Sequence, residues 1–189
     1  MITDKLFQSI KQAVNDLDID TEELSTFFQY KKVKKGDKIL SAGQTCNRYF
    51  YVNNGAFRIY FIKNGDEFTH WFCFEGILFT ELESYTFKQP TQFYIEALEE
   101  CEILTILRPK MEELLSKYPD LQEFLRKNWE LAFIKLSHVI ASFQSKNAKE
   151  RYNDLFEYSE LLQRTSQKDI SSMLGITQYS LSRIRKEKG

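Results

Sequence analysis

The spacing of hydrophobic residues changes along the chain, and each spacing predicts a different kind of element. Near the N-terminus apolar residues recur every three or four positions, as in an amphipathic helix. They are Leu6, Ile10, Ala13, Val14 and Leu17. A second short helix is predicted before Leu24, with Asp20 or Thr21 as its N-cap. Residues 2–30 are therefore predicted to be helical.

From about residue 31 to residue 107 the pattern is that of short β-strands. Aromatic and β-branched runs of a few residues alternate with glycine turns, which is typical of an antiparallel barrel or sandwich. The segment "YVNNGAFRIYF" is predicted to be a hairpin, because Asn54 and Gly55 suit a turn with positive φ.

Helical spacing returns after Pro109 and continues after Pro119. Within the second stretch, apolar residues alternate spacings of four and three, which is the pattern of a heptad seam. The seam consists of Leu125, Trp129, Ala132, Leu136, Val139 and Phe143. A second apolar set comprises Phe124, Phe133, Ile134 and Ile140. One face can pack on the strands while the other meets a second copy, so we expect a symmetric homodimer.

Another helix is predicted from Ala148 to about residue 163, with Tyr152, Leu155, Phe156 and Leu161 facing inward. After it, the spacing predicts two short helices. Ile170 and Leu174 provide the inner face of the first, and Gly175 forms the turn. Thr177 caps the second, which buries Leu181. A glycine at this point allows two helices to cross steeply, and the pattern favours a helix-turn-helix over an ordinary pair of helices.

The exposed residues of this pair are polar or basic, which favours contact with DNA. Arginine can donate two hydrogen bonds to guanine, and glutamine can pair with adenine. Hydroxyls and amides at helix starts suit phosphate oxygens. We expect Arg183 to read a guanine. The residues expected at DNA are Ser166, Lys168, Thr177, Gln178, Tyr179, Ser182, Arg183, Arg185 and Lys186.

Charge and composition restrict the partners, cofactors and cellular location that we expect. The net charge is −1, yet residues 164–189 hold six basic and two acidic side chains, so positive charge is concentrated at this end. Three cysteines without a C-x-x-C pair argue against a zinc site or a four-thiolate cluster. The N-terminus lacks the apolar core of a signal peptide, and no apolar run approaches about 20 residues. We therefore expect a cytoplasmic protein with no membrane association.

Taken in this order, the strands, heptad helix and closing motif resemble the Crp–Fnr family of transcription regulators over nearly the whole chain. The turn glycines Gly36, Gly43, Gly55 and Gly76 fall where that family has glycines, and "GITQYSLSRIRK" resembles its recognition segment. The resemblance implies an α+β chain: an antiparallel jelly roll of the cyclic-nucleotide-binding type, a long dimerisation helix and a helix-turn-helix domain. It further implies a pseudo-palindromic DNA site and RNA polymerase as a possible second partner.

The boundaries expected from this resemblance are 1–118 for the sensor domain, 119–146 for the dimerisation helix and 147–189 for the DNA-binding domain. The sensor segments depart from the cyclic-nucleotide pattern. The family's glycine and arginine are replaced by Thr80 and Thr91, and loss of the arginine removes a charge-assisted contact to phosphate. Binding of cAMP in the usual manner is therefore not expected. The candidate effector residues are Thr80, Glu81, Leu82, Thr91 and Gln92.

Other readings remain open at this point. Haem could use His70 or a cysteine, although a histidine beside Trp71 is more often structural. The chain lacks the clustered N-terminal cysteines of the iron–sulfur variant and shows only "KEKG" where the family often has a β wing. Two histidines and no nucleophile or phosphate-loop motif argue against an enzyme. A degenerate scaffold or small-ligand sensor that dimerises without reading DNA is the alternative, and no cofactor or metal is expected.

Overall fold

The computed structural model describes residues 3–14, 19–155 and 159–187. Its first elements are α1 (Asp4–Ala13) and α2 (Thr21–Phe27). Leu6 and Ile10 of α1 are buried, as their spacing predicts; Leu17 lies outside the described residues. The Asp20 carboxylate accepts a hydrogen bond from the Glu23 amide at 2.8 Å and caps α2.

The strands form two four-stranded sheets that face each other. In chain order they are β1 (Gln29–Val33), β2 (Lys38–Leu40), β3 (Arg48–Asn54), β4 (Phe57–Lys63), β5 (Asp66–Cys73), β6 (Leu78–Phe79), β7 (Phe93–Ala97) and β8 (Cys101–Leu107). The sheet orders are β1-β8-β3-β6 and β2-β7-β4-β5, and all pairs are antiparallel. The predicted antiparallel β-roll is confirmed. Helix α3 (Leu82–Phe87) lies between β6 and β7.

The hairpin predicted at Asn54 and Gly55 is wrong. β3 and β4 belong to different sheets, so the chain crosses from one sheet to the other at this turn. At this crossing the backbone approaches Cys101 closely, since a Cβ on Gly55 would be 2.5 Å from the Cys101 Sγ. The observed hairpin is β4–β5. Asn64 and Gly65 both have positive φ there, as a tight hairpin turn requires.

Side chains on both faces of β3 are buried, which explains its nearly continuous apolar sequence. Phe50 and Val52 pack with residues of the second sheet in the core between the sheets. Tyr49 and Tyr51 pack on the other side, in a cluster with α1, α2 and the helices that follow the strands. The alternating side chains of β3 therefore contribute to two separate cores.

The helices after the strands are α4 (Arg108–Lys117), α5 (Leu121–Ser145), α6 (Ala148–Asp154), α7 (Ser159–Arg164), α8 (Gln167–Met173) and α9 (Gln178–Lys186). The single helix predicted from Ala148 is wrong in extent, because α6 ends at Asp154 and α7 is separate. Tyr152 and Leu155 are buried as predicted; Phe156 lies outside the described residues. α6 to α9, here called the C-terminal helices, form a third core with Phe72 of β5.

Candidate nucleic-acid interface

α8 and α9, here called the helix pair, are joined by a turn at Gly175, whose φ is +67°. Ile170 and Leu174 are buried on α8, and Leu181 is fully buried on α9. The Thr177 hydroxyl accepts a hydrogen bond from the Ser180 amide at 3.1 Å and caps α9. Each inner position, the turn glycine and the cap therefore lie where the sequence pattern places them.

The outer face of α9 is polar and accessible. Gln178, Tyr179 and Arg183 are exposed, and Tyr179 retains 73% of its surface. Arg185 and Lys186 are exposed at the C-terminal end, whereas Ser182 is half-buried. The residues expected to read bases thus share one helix and lie on its solvent side. No carboxylate among the described residues forms an ion pair with Arg183, Arg185 or Lys186.

The residues predicted on or before α8 have other partners. Ser166 accepts a hydrogen bond from the Asp169 amide and donates to the Asp169 carboxylate, so it is the N-cap of α8. Lys168 lies 3.1 Å from the Glu67 carboxylate of β5. Glu187 pairs with Lys149 at 2.9 Å. α8 therefore faces the β-roll, and α9 provides the free surface.

A buried ion cluster joins α8 to the β-roll. Arg58 of β4 is 4% exposed and Asp169 of α8 is 7% exposed, and their charged atoms are 3.0 Å apart. Arg58 also donates to Glu67 at 2.8 Å and to the Thr69 hydroxyl at 2.9 Å. Buried charges are tolerated when they are paired and hydrogen-bonded. This cluster fixes where α8 lies on the second sheet.

Ser172 of α8 adds main-chain contacts to the same junction. Its hydroxyl donates to the Glu67 carbonyl at 2.8 Å and accepts from the Thr69 amide at 2.9 Å. β5 is the last strand of its sheet, so these are groups that a neighbouring strand would otherwise bond. An unpaired sheet edge invites unwanted pairing. α8 therefore covers part of this edge.

A second ion cluster lies at the start of the helix pair. Arg164 donates to both oxygens of Glu75, at 2.8 and 2.9 Å, and to Glu99 from Nε at 3.1 Å. Burial alone raises the pKa of Glu75. Hydrogen bonds from Arg164 and from the Gly55 amide outweigh that effect and lower the pKa of Glu75 to about 2. The carboxylate is therefore ionised at neutral pH. Arg164, which contributes to the basic terminal sequence, is engaged with the β-roll.

The residues of the predicted seam on α5 lie in two different environments. Leu125 and Trp129 pack against the core cluster of their own chain, and Trp129 contacts Tyr49 edge-on. Val139 and Phe143 line a cavity beside the C-terminal helices. Ala132 is half-buried and Leu136 is exposed. Beyond Trp129, the most exposed apolar residues are Leu131 (59%), Phe133 (71%) and Ile140 (50%). Phe133 and Ile140 share one side of the helix, and Leu131 lies opposite them.

Three of the five candidate effector residues line a pocket of about 130 Å³ beside α3. Glu81, Thr91 and Gln92 line it, whereas Leu82 is exposed elsewhere and Thr80 is buried, donating to the Arg48 carbonyl at 2.8 Å. The Glu81 carboxylate caps α3, accepting from the Ser84 amide at 3.1 Å. Glu83 is a second carboxylate in the lining, which contains no lysine or arginine. This electrostatic environment disfavours a phosphate.

The side chains considered as ligands for haem or a metal ion are the cysteines and His70. Cys46, Cys73 and Cys101 are buried free thiols, and burial raises the pKa of Cys73. His70 is exposed on β5, with its ring 5.0 Å from that of Phe93. Within the described residues, no three His, Cys, Asp or Glu side chains are grouped to hold a metal ion. No helix in that part of the chain is both long and apolar enough to cross a membrane.

The sequence matches the family described as the cyclic nucleotide-binding domain over residues 30–118, which contains all the strands except the first residue of β1. A comparison with curated proteins finds no match. Among solved structures, a CooA variant from Carboxydothermus hydrogenoformans superposes with a TM-score of 0.70 at 19% identity, covering 87% of this chain and 77% of that one. The chain has the Crp–Fnr fold. The resemblance identified in the sequence is thereby confirmed.

Two further structures agree with the Crp–Fnr fold. The regulator CLP of Xanthomonas campestris, described as responsive to c-di-GMP, superposes with a TM-score of 0.69 at 13% identity, covering 88% of each chain. A transcriptional regulator of the Crp/Fnr family from Eubacterium rectale gives 0.68 at 17% identity, covering 90% of this chain and 83% of that one. These relatives are described as regulators, in agreement with the prediction that the chain is not an enzyme.

Sequence reasoning missed the residues that join the helix pair to the β-roll: Arg58, Glu67, Glu75, Asp169 and Ser172. Arg58 and Asp169 lie 111 positions apart in the sequence, and no local pattern links them. A charged residue at a strand position that the pattern predicts to be buried would have indicated such an ion pair. Arg58 follows Phe57 and precedes Ile59, where alternation alone predicts an outward side chain.

Proposed function

We propose that the protein is a cytoplasmic, sequence-specific DNA-binding regulator that acts as a homodimer, with α9 as its recognition helix. The accessible face of α9 carries the proposal. Gln178, Tyr179 and Arg183 are exposed, while Leu181, opposite Tyr179 and Arg183, is fully buried. The α8–Gly175–α9 unit has the form of a helix-turn-helix, in which the second helix enters the major groove.

Arg183 is the residue proposed to specify a base. Its guanidinium is exposed and forms no ion pair with a described carboxylate, so binding DNA would not require breaking one. A bidentate contact from arginine to guanine is worth about 1–3 kcal/mol of discrimination. Gln178 and Tyr179, in the first turn of α9, lie where base edges or neighbouring phosphates are contacted. Arg185 and Lys186 would contact the phosphate backbone.

A second copy of this chain is proposed to pack on α5. Phe133, Leu136 and Ile140 are exposed and follow one another at spacings of three and four, which a two-helix seam requires. Leu125 and Trp129 are already engaged by their own β-roll. The proposed dimer contact therefore lies in the C-terminal half of α5, beyond Trp129. Two α9 helices related by the dimer axis would read a pseudo-palindromic site.

The small pocket of the β-roll does not support cAMP in its usual mode. Its volume of about 130 Å³ is below the roughly 300–1,000 Å³ of ligand pockets. Glu81 and Glu83 would repel a cyclic phosphate, and Thr91 stands where a cyclic-nucleotide binder would have an arginine. A stabilising shift in melting temperature with cAMP would contradict this conclusion.

The test of DNA recognition is selection of bound fragments from a genomic library by the purified protein. We expect a two-fold symmetric motif, bound at least tenfold more weakly by Arg183→Ala. Arg126→Ala is the matched control, because Arg126 is an exposed arginine near the N-terminal end of α5. Selection of no motif, or equal enrichment by Arg183→Ala, would support the alternative of a scaffold that dimerises without reading DNA.

A further inference from the structure

A cavity lies between the end of β5, the C-terminal half of α5 and the C-terminal helices. Its volume of about 520 Å³ is in the range of sites for small organic molecules. Its walls are mainly aromatic and aliphatic; they include Trp71, Phe74, Val139, Phe143, Met173 and Leu174. It shares no lining residue with the small pocket beside α3. The cavity is therefore a separate site.

Two basic side chains at this cavity have no acidic partner among the described residues. Lys135 and Arg151 line it, and neither forms an ion pair with a described carboxylate. Two Arg151 nitrogens donate to carbonyl oxygens, of Lys146 at 2.8 Å and Leu174 at 3.2 Å, and its guanidinium lies 4.6 Å from the centre of the Phe143 ring. These contacts hold the arginine in place without neutralising its charge.

Two carboxylates also line the cavity, but their surroundings reduce their effect. Asp154 forms hydrogen bonds at 2.8 and 2.9 Å with Lys146 and accepts another from Ser142. The Glu160 side chain is 69% exposed and lies 3.8 Å from Arg164. Asp154 is thus compensated, and Glu160 is screened by water. The remaining charge in the cavity favours an anion.

We propose that this cavity binds a small aromatic or aliphatic anion. Its apolar body would lie against Trp71 and Phe143, and its acidic group would be held by Lys135 and Arg151. Apolar walls with a few charged groups provide affinity and orientation respectively. A ligand here would touch β5, α5 and the C-terminal helices together. It would therefore alter the position of the helix pair relative to the β-roll, a consequence that rests on the proposed function.

A second copy of the chain is not the expected occupant. Successive residues on a helix are 100° apart, so Phe133 and Ile140 lie about 140° to 180° from Lys135 and Ser142 around α5. The exposed apolar face proposed for dimer contact therefore points away from the side of α5 that carries Lys135 and Ser142. A dimer formed through that face leaves these two cavity residues accessible to a small molecule.

The probe for the test is 1-anilinonaphthalene-8-sulfonate, an aromatic anion whose fluorescence rises in an apolar site. The chain has two tryptophans, so Trp129→Phe leaves Trp71 in the cavity wall as the donor for energy transfer. We expect saturable quenching of Trp71 with one probe per chain. Ser142→Phe, which fills the cavity, should weaken binding at least tenfold, and Lys135→Met should weaken it about threefold to tenfold.

Two substitutions on α4, far from the cavity, are the matched controls: Ser116→Phe and Lys110→Met should leave the affinity unchanged. Circular dichroism checks that each variant is folded, and Lys135→Met, at an exposed position, keeps the test independent of any loss of fold in Ser142→Phe. Equal binding by Lys135→Met and Lys110→Met would overturn the proposal. So would binding seen only in a monomeric Phe133→Glu variant, because a second copy would then fill the cavity. The measurement needs no DNA, so its failure is distinguishable from failure of DNA recognition.

Discussion

At the residue scale, Gly55 shows how one backbone position can connect the sheets to the helix pair. Its φ is +101°, and a Cβ there would approach the Cys101 backbone and side chain at 2.5 to 2.9 Å. Its amide donates to Glu75 at 2.7 Å, and Glu75 in turn holds Arg164. The position therefore requires glycine for both conformation and space, and any shift of it reaches the junction with the C-terminal helices.

Gly55→Ala is predicted to lower the free energy of unfolding by more than about 2 kcal/mol, since left-handed strain costs about 1–2 kcal/mol and overpacking about 1–3 kcal/mol. The matched control is Gly65→Ala. Gly65 also has positive φ, +86°, but no atom lies within 4 Å of its added Cβ, so only the strain applies. Urea denaturation of both variants checks the difference; equal losses would contradict the steric argument.

Local chemistry at this scale was largely predictable from sequence. Asp20 and Thr177 cap their helices, and Gly175 makes the turn between α8 and α9. A cap or a turn depends on a few neighbouring residues, so the sequence contains the information. The partner of a strand does not follow from its turn residues alone: Asn54 and Gly55 suit a hairpin, yet contact with Cys101 accompanies a crossing between sheets.

At the scale of elements, α5 has two apolar sides with separate uses. One side packs on the β-roll and then lines the cavity. The other exposes Phe133 and Ile140. The heptad pattern predicted an apolar helix with a seam. It could not show which side of the helix packs against the chain's own core, because that depends on where the β-roll lies. Leu125 and Trp129 show this most directly.

Phe133→Glu is predicted to raise the dimer dissociation constant roughly a hundredfold or more, because burying a phenylalanine is worth about 1.5–3 kcal/mol and each dimer contains two. Ala141→Glu places the same charge at an exposed position on the same helix, outside the Phe133, Leu136 and Ile140 series, and serves as the control. Sedimentation equilibrium measures both constants. If Phe133→Glu dimerises as tightly as Ala141→Glu, the second copy does not pack on this face.

The contact between Glu75 and Arg164 is predicted to make stability depend on acid. The pKa of Glu75 is about 2 in the folded protein and about 4.3 for an unperturbed glutamate. Its contribution is therefore complete above about pH 5 and is lost as the pH falls towards 2. The free energy of unfolding should fall more steeply over this range in the wild type than in Glu75→Gln. Parallel pH profiles would contradict the assignment.

At the scale of the whole molecule, the helix pair is placed by contacts between distant parts of the chain. Arg164 meets Glu75 from 89 positions away, and Ser172 meets Thr69 from 103 positions away. Neither pair has a local pattern, so the sequence could predict most of the strands and helices but not how α8 lies on β5. The same limit applies to the cavity, whose walls come from β5, α5 and three of the C-terminal helices.

The central claim is that two copies of α9 read one DNA site from a single dimer. Inserting five base pairs between the half-sites of the selected motif turns the second half-site to the opposite side of the duplex, since one helical turn is about 10 base pairs. Fluorescence anisotropy with the wild-type protein should show at least a tenfold loss of affinity relative to the unaltered site. An unchanged affinity would contradict the account.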